Sequence, residues 1–420
     1  MNSTRLLFAF LLLITSSARS QTDSLTLTVS KAEQLFLTKN YHLLAANYQI
    51  SQAQAEIITA KLFDNPELTH ENLFYNHETK KFLETSYATG QYSTQISQLI
   101  KLAGKRKKNI QLAQHGVKLA ENEYEETVRS LRFQLRDAFY KAYYKNETSK
   151  VYQQEIAGSE KLLKAYQQQQ LAGNIAPKDV IRIQSLLINL KSELKSLLNE
   201  LEDDYRDLKL LCNIDAPVAL KLLVGNLDDY SVQKTLYTTL IDSAKANRSD
   251  YKLAKSSLQF NQSNLKLQKA MAIPDIELSL SYDLKGNYPE KYTGIGIRIP
   301  IPLFNRNQGE IKKARIGIAA STTSIKQYED LLENEVYNSY QNALRTEQNY
   351  QAIDPKFSSN FEQLMVDITK NFKARNISLI EFLDFYTSYK ETIIQLNQLK
   401  YERFSSREEI NFVTGTLIFN

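Results

Sequence analysis

Residues 275–284 read DIELSLSYDL, and residues 292–301 read YTGIGIRIPI. In the first run Ile276, Leu278, Leu280, Tyr282 and Leu284 alternate with Asp275, Glu277, Ser279, Ser281 and Asp283. In the second, Thr293, Ile295, Ile297, Ile299 and Ile301 alternate with Tyr292, Gly294, Gly296, Arg298 and Pro300. A side-chain period of two means a strand with one apolar face, and about ten residues is the length of a tilted strand that crosses a membrane. The joining residues 285–291 hold Gly286, Asn287 and Pro289, so the two runs read as a hairpin over 275–284 and 292–301. A hairpin packed on a soluble core would need further strands beside it. Beyond one weaker copy of this hairpin in the first half the sequence shows none, and the flanking helical patterns are far too long to cover one sheet.

Those patterns dominate the chain. From 105 to 172 no Pro occurs, and apolar or small residues recur in steps of 3 and 4 through Ile110, Ala113, Val117, Ala120, Tyr124, Val128, Leu131 and Leu135. This near-heptad stripe predicts one helix over 105–172, a rod of about 100 Å at 1.5 Å per residue. A return helix is expected over 177–212, antiparallel to the first because only 172–176 join them. The region 307–373 repeats the long helix, with a kink or restart at Pro355, and 377–412 repeats the return helix.

The repetition extends to short markers. Asn65-Pro66-Glu67-Leu68 finds Ile273-Pro274-Asp275-Ile276 at an offset of 208, and Gly104-Lys105-Arg106-Lys107-Lys108 finds Gly309-Glu310-Ile311-Lys312-Lys313 at 205. Gly173-Asn174-Ile175 finds Arg375-Asn376-Ile377 at 202. An internal duplication follows, with a first repeat over 21–212, a second over 241–412 and a tail over 413–420. Between them 213–240, with Pro217 and Gly225, reads as an irregular equatorial belt. The first-repeat strands are weaker copies, at about 66–77 and 86–100. Unbroken lead-in helices are expected over 29–63 and 241–272.

Composition sets the bounds. Gly (12) and Pro (8) are too few for an all-β chain of 420 residues. A net charge of +5 with interleaved signs offers no basic face for nucleic acid, and the run 105–108 reads as a solvated helix start. One cysteine, Cys212, excludes a disulfide framework and falls at an apolar helical position, as buried filler. Four histidines and no nucleophile or phosphate-loop motif leave catalysis without material, so no enzyme, cofactor or firm metal site is expected. His70 and His77, seven apart on one expected strand, would point to opposite faces. Arg5, the apolar run 6–14 and Ala18-Arg19-Ser20 predict a signal peptide over 1–20.

Beyond residue 20 no apolar stretch reaches membrane-helix length, so membrane contact falls to the strands. Four strands cannot close a barrel, and an open sheet in lipid would leave both edges unpaired. Several copies must therefore share one barrel.

In these residues the chain resembles an outer-membrane factor of the TolC family. The resemblance rests on Asn65-Pro66-Glu67-Leu68, 102–106 and above all 299–311, IPIPLFNRNQGEI, and is nearest the heavy-metal, CzcC-like branch. It implies a mainly α fold with one membrane β-hairpin per half. Three copies would form a long antiparallel coiled-coil α-barrel and one shared 12-stranded β-barrel. It implies a homotrimeric duct in the outer membrane of a Gram-negative bacterium, with a long periplasmic extension. The duct would passively export metal ions or small toxic compounds from a periplasmic adaptor and an inner-membrane pump of the RND type. A lipid-anchor cysteine of the branch is lacking, so the barrel alone would anchor the chain in outer-membrane lipid. The resemblance also implies a periplasmic gate ring at Glu381 and Asp384. The matching first-repeat positions hold Asp179 and Arg182, an opposite-charge pair. The docking tips fall at Gly173, Asn174, Arg375 and Asn376. The competing reading is a periplasmic coiled-coil adaptor or scaffold without a channel.

Overall fold

The computed structural model describes residues 24–225, 232–286 and 289–419. The expected signal peptide at 1–20 lies outside the described residues, as do 226–231 of the expected belt. In chain order the elements are β1 (Ser24–Thr28), α1 (Val29–Lys39), α2 (Tyr41–Lys61), β2 (Glu67–Asn72), β3 (Tyr75–Asn76), β4 (Lys81–Phe82), β5 (Tyr92–Ile100), α3 (Lys105–Leu171) and α4 (Pro177–Cys212). They continue with β6 (Ala219–Leu223), α5 (Tyr237–Asn247), α6 (Ser249–Met271), β7 (Ile276–Asp283), β8 (Tyr292–Arg298), α7 (Gln308–Gln351), α8 (Phe357–Lys373) and α9 (Leu379–Thr414). The order strand, two helices, hairpin, long helix, return helix occurs twice. The second copy already begins at β6.

The chain divides into two compact units. One comprises the residues up to Tyr41, Val128–Leu240 and Val336 onward. Here β1 and β6 pair in parallel, from Ser24 against Ala219 to Thr28 against Leu223. This corrects the irregular belt and the expectation of only four strands. Five residues of alternation were too short to stand out from coil. Within this unit the helices run antiparallel, because partner numbers rise on one as they fall on the other. Lys145 and Lys191 pair with Asp204 (2.9 Å) and Glu160 (2.7 Å) across α3 and α4. Across α3 and α9, Tyr140 stacks on Phe404 at 4.1 Å, and the Tyr386 hydroxyl donates to the Glu155 carbonyl at 2.7 Å. Phe36, Leu135, Phe139, Leu208 and Ile410 are fully buried. Cys212 is fully buried as well and donates weakly to the Ala32 carbonyl at 3.6 Å, and burial pushes its thiol up to about 12.

The interior of this unit also holds charge. Arg136 bridges Glu33 (2.9 Å) and Glu408 (2.7 Å). Glu347 receives two hydrogen bonds from Arg403, both 2.8 Å, and one from Arg407 at 3.2 Å. After Gly415, at φ 69°, the chain folds back, and Asn411 accepts from the backbone N–H groups of Ile418 and Phe419.

The other unit comprises His42–Thr127 and Ile241–Glu335. Its centre is an antiparallel sheet in the order β2-β5-β7-β8. Polar clamps hold its helices together. Asn122 donates to Ser256 between α3 and α6, and Tyr251 donates to Glu329 at 2.5 Å between α6 and α7.

The lead-in helices are not continuous. α1 stops at Asn40, whose ψ of 124° leaves the helical region and whose amide donates to the Leu211 carbonyl at 2.9 Å. α5 and α6 part at Arg248, ψ 120°, where the buried guanidinium meets Asp250 (2.8 Å) and Glu335 (2.5 Å). Neither break carries Gly or Pro. A tertiary bond overrides helix propensity at both, which periodicity cannot reveal. Pro355 separates α7 from α8, as its missing N–H requires.

Candidate functional site

Two features are candidates for function, one in each unit. The first is the sheet. Its register places Leu68, Ile96, Leu280 and Ile295 in one cross-strand row, with Leu278 and Ile297 in the next. This face is apolar and open: Ile295 is 85% exposed and Ile297 66%. The opposite face carries Glu67, Ser97, Ser279 and Gly296 in one row, and Glu71, Ser93 and Asp283 in another. Gly296 is there because a Cβ would meet the Ser279 hydroxyl at 2.5 Å. β2 and β8 are edges with no partner on their outer sides among the described residues. An apolar face left in water is costly at about 25 cal/mol per Å². Two free edges leave backbone groups unpaired.

The first-repeat hairpin differs from its expected form. β5 starts at Tyr92, and residues 73–91 form a folded loop containing the β3–β4 pair. There the Glu84 carboxylate accepts from Asn76, Thr79 and Thr89. Six residues of the expected strand at 86–100 are thereby loop, because Ser86-Tyr87-Ala88-Thr89-Gly90-Gln91 has no alternation to hold it in a sheet. His77 sits in this loop against Tyr75 and His70 in β2 beside Thr94, so the expected shared strand does not exist. Tyr87 donates to Glu290, and Lys285 donates to the Ala88 carbonyl at 2.8 Å, which ties the two strand connections together.

The second feature is the pair of helix turns. Gly173 (φ 77°) donates to the Gln170 carbonyl and Asn174 to that of Gln169. Arg375 (φ 63°) donates to Phe372 and Asn376 to Asn371 in the same way. Both are Schellman turns, and in both the Asn side chain reaches back five residues, Asn174 to Gln169 (2.9 Å) and Asn376 to Asn371 (3.2 Å). Tyr166 of α3 stacks on Phe372, and Phe372 stacks on Phe382 at 4.2 Å, so the two turns lie together. The sequence reading missed this aromatic column. Its signal was Phe382 and Tyr386, one helical turn apart on one face.

The left-handed position suits Gly and strains Arg by about 1 kcal/mol. We expect Arg375→Gly to raise unfolding stability by up to that amount and Gly173→Ala to lower it by a similar amount. No Cβ contact exists at Gly173 to confuse the result. Urea unfolding of the purified protein reads both, and a stabilising Gly173→Ala would refute the turn assignment.

Glu381 and Asp384 lie just past the second turn, both exposed. Glu381 is half of a capping box: its carboxylate accepts from the Ser378 N–H at 2.8 Å, and the Ser378 hydroxyl accepts from the Glu381 N–H at 3.2 Å. The Ser378 backbone and hydroxyl hold this carboxyl below its usual range. The first-repeat turn has no such cap, since Ala176 stands at the corresponding N-cap. Nearby, Glu155 is buried between α3 and α9 with one oxygen lacking a hydrogen-bond partner, and burial raises its pKa.

Among the described residues no three potential metal ligands come together, and no helix is long and apolar enough to cross a membrane. Residues 27–213 match the sequence profile of the family described as Outer membrane efflux protein. The cobalt-zinc-cadmium resistance protein CzcC of Cupriavidus metallidurans is 24% identical over 288 residues. That match spans 69% of this chain and 66% of the relative, just under two thirds of its length. The crystal structure of the CmeC outer membrane channel of Campylobacter jejuni is similar at a TM-score of 0.76 and 14% identity, over 93% of this chain and 86% of that one. CusC, a transmembrane channel, is similar at 0.73 and 17% identity, over 92% of both chains.

Proposed function

We propose that the chain is a member of the outer membrane efflux protein family, whose profile matches residues 27–213, and that it is the outer-membrane exit duct of a tripartite efflux pump. One observation carries the reading: a four-stranded sheet with an exposed apolar face and two open edges, in a chain whose described helices cannot cross a membrane. Three copies would place twelve strands in one barrel, with the apolar face to lipid and the Glu/Ser/Gly face to the lumen. The helices would extend into the periplasm. The paired turns at Gly173-Asn174 and Arg375-Asn376 would meet a periplasmic adaptor, and beyond it a pump of the RND type. The reading assigns no catalysis. Its cargo class is divalent metal cations, for which the likeness to CzcC speaks; small toxic compounds are the alternative. The fold likeness to channels over nine-tenths of the chain favours a duct over an adaptor.

The periplasmic entrance is assigned to Glu381 and Asp384. Three apart on a helix, they share a face. Threefold symmetry would make two rings of carboxylates, the usual device for cation preference. A divalent ion held between like charges would keep the entrance shut until the adaptor draws the helices apart. The variant Glu381→Gln with Asp384→Asn removes the charge, and Gln still serves at the third position of the capping box. In planar bilayers it should lose cation preference and divalent block while the trimer stays intact. Unchanged selectivity and unchanged block would move the gate elsewhere, first to Asp367.

A further inference from the structure

The run Lys105-Arg106-Lys107-Lys108 opens α3 with no acid in its first turn, although the positive end of a helix macrodipole disfavours cations. The second repeat also gathers cations here, with Arg306 before α7 and Lys312, Lys313 and Arg315 in the turns that follow its first, which holds Glu310. Both openings lie at one end of the sheet, because β5 leads into α3, β8 leads into α7, and Ile100 of β5 pairs with Ile276 where β7 enters. Four acids at this end are ion-paired: Asp64 with Lys101 (2.9 Å), Asp275 with Lys105 (2.7 Å), Glu277 with Arg298 (3.2 Å) and Glu310 with Lys313 (3.7 Å), while Glu67 lies on the opposite, polar face of the sheet. Lys107, Arg306, Lys312 and Arg315 remain exposed, with no acid against them among the described residues. Large apolar side chains share the same end. Phe63 is 75% exposed beneath the Arg106 guanidinium, 4.0 Å from its ring, and Phe304 is 91% exposed.

Cations without counterions, set among exposed rings at the edge of an apolar sheet face, reproduce the layering of a bilayer surface. There phosphate lies above the glycerol level, where aromatic rings settle. We propose that this end of the sheet is a collar that binds anionic phospholipid headgroups of the periplasmic leaflet. The inference rests on the duct reading, which puts the strands in lipid and the helices in the periplasm. The occupant is a lipid and not free phosphate, because the apolar side chains would have no part in holding an inorganic anion. Duplication supplies the collar twice per chain, which spreads it around a shared barrel. It also explains why the first repeat keeps basic residues where helix electrostatics oppose them.

The test uses the full-length protein reconstituted into vesicles of phosphatidylcholine alone or phosphatidylcholine with phosphatidylglycerol. Insertion is read by flotation, and lipid preference by the phospholipids retained after detergent extraction. The wild type should insert into both and retain phosphatidylglycerol selectively. The triple variant Lys107→Gln, Lys312→Gln, Arg315→Gln alters only exposed side chains. It should insert equally well and lose that preference by about fivefold per cation, on the order of a hundredfold in all. Insertion with no lipid preference, or a variant with unchanged preference, would overturn the collar and leave the duct standing. Displacement of bound phosphatidylglycerol by millimolar inorganic phosphate would overturn the lipid as occupant. Failure to insert into either vesicle would overturn the duct reading, and the collar with it.

Discussion

Arginine at both Leu280 and Ile295 will abolish membrane assembly, while arginine at Ser281, one residue away, will leave it intact. Leu280 and Ile295 are register partners on the exposed apolar face, near the middle of the β7–β8 hairpin. Ser281 pairs with Gly294 on the opposite face. An arginine facing lipid at mid-membrane costs about 2–4 kcal/mol, and each copy in the barrel bears that cost at both sites. An arginine facing a water-filled lumen does not. Outer-membrane fractionation with a heat-modifiable gel band reads the difference. Equal effects at Ser281 and at the apolar pair would show that the sheet does not separate lipid from lumen.

The second large effect lies in the helical unit. Arg136 is 5% exposed and joins Glu33 to Glu408. Arg136→Met keeps the volume and strands the deeply buried Glu408, while Glu33 keeps only Arg132 at 4.0 Å. Breaking a buried pair in this way costs about 3–5 kcal/mol. Burial already raises the pKa of Glu408 above its ordinary 4.5, and Arg136 opposes that rise. Without the cation the rise grows. A carboxyl whose folded pKa is raised binds more protons folded than unfolded, so stability falls as pH climbs through and above the ordinary range. The deficit of Arg136→Met should therefore be largest at neutral pH and shrink as pH falls toward 4.5. Adding Glu33→Gln and Glu408→Gln should recover most of it and flatten the pH dependence. A deficit that does not vary with pH would mean lost packing, not stranded charge.

The second hairpin was legible because strict alternation over two runs of about ten residues has no other reading, and the long helices because nothing interrupts them. The first hairpin was half legible: Tyr92–Ile100 carries Ile96 and Ile100 on one face but Thr94 and Gln98 between them. The breaks at Asn40 and Arg248 were not legible, since each depends on a partner far away in sequence, Leu211 for one and Glu335 for the other. The β1–β6 pair was missed because neither strand is long enough alone. At the second turn the same residues support two readings. Ser378-Leu379-Ile380-Glu381 is a capping-box signature, and the structure uses it as one. The gate role proposed for Glu381 rests on a different property, its place on one helix face with Asp384. The run 105–108 is plain in the sequence, but only the sheet register places it at the end of β5.

The claim that several copies share one barrel is tested most directly by native mass spectrometry of the full-length protein extracted from outer membranes. The account predicts a single species of three chains that resists dissociation until heated, and its disappearance on deletion of 275–301. A monomer recovered from the soluble fraction, with the sheet intact, would contradict it.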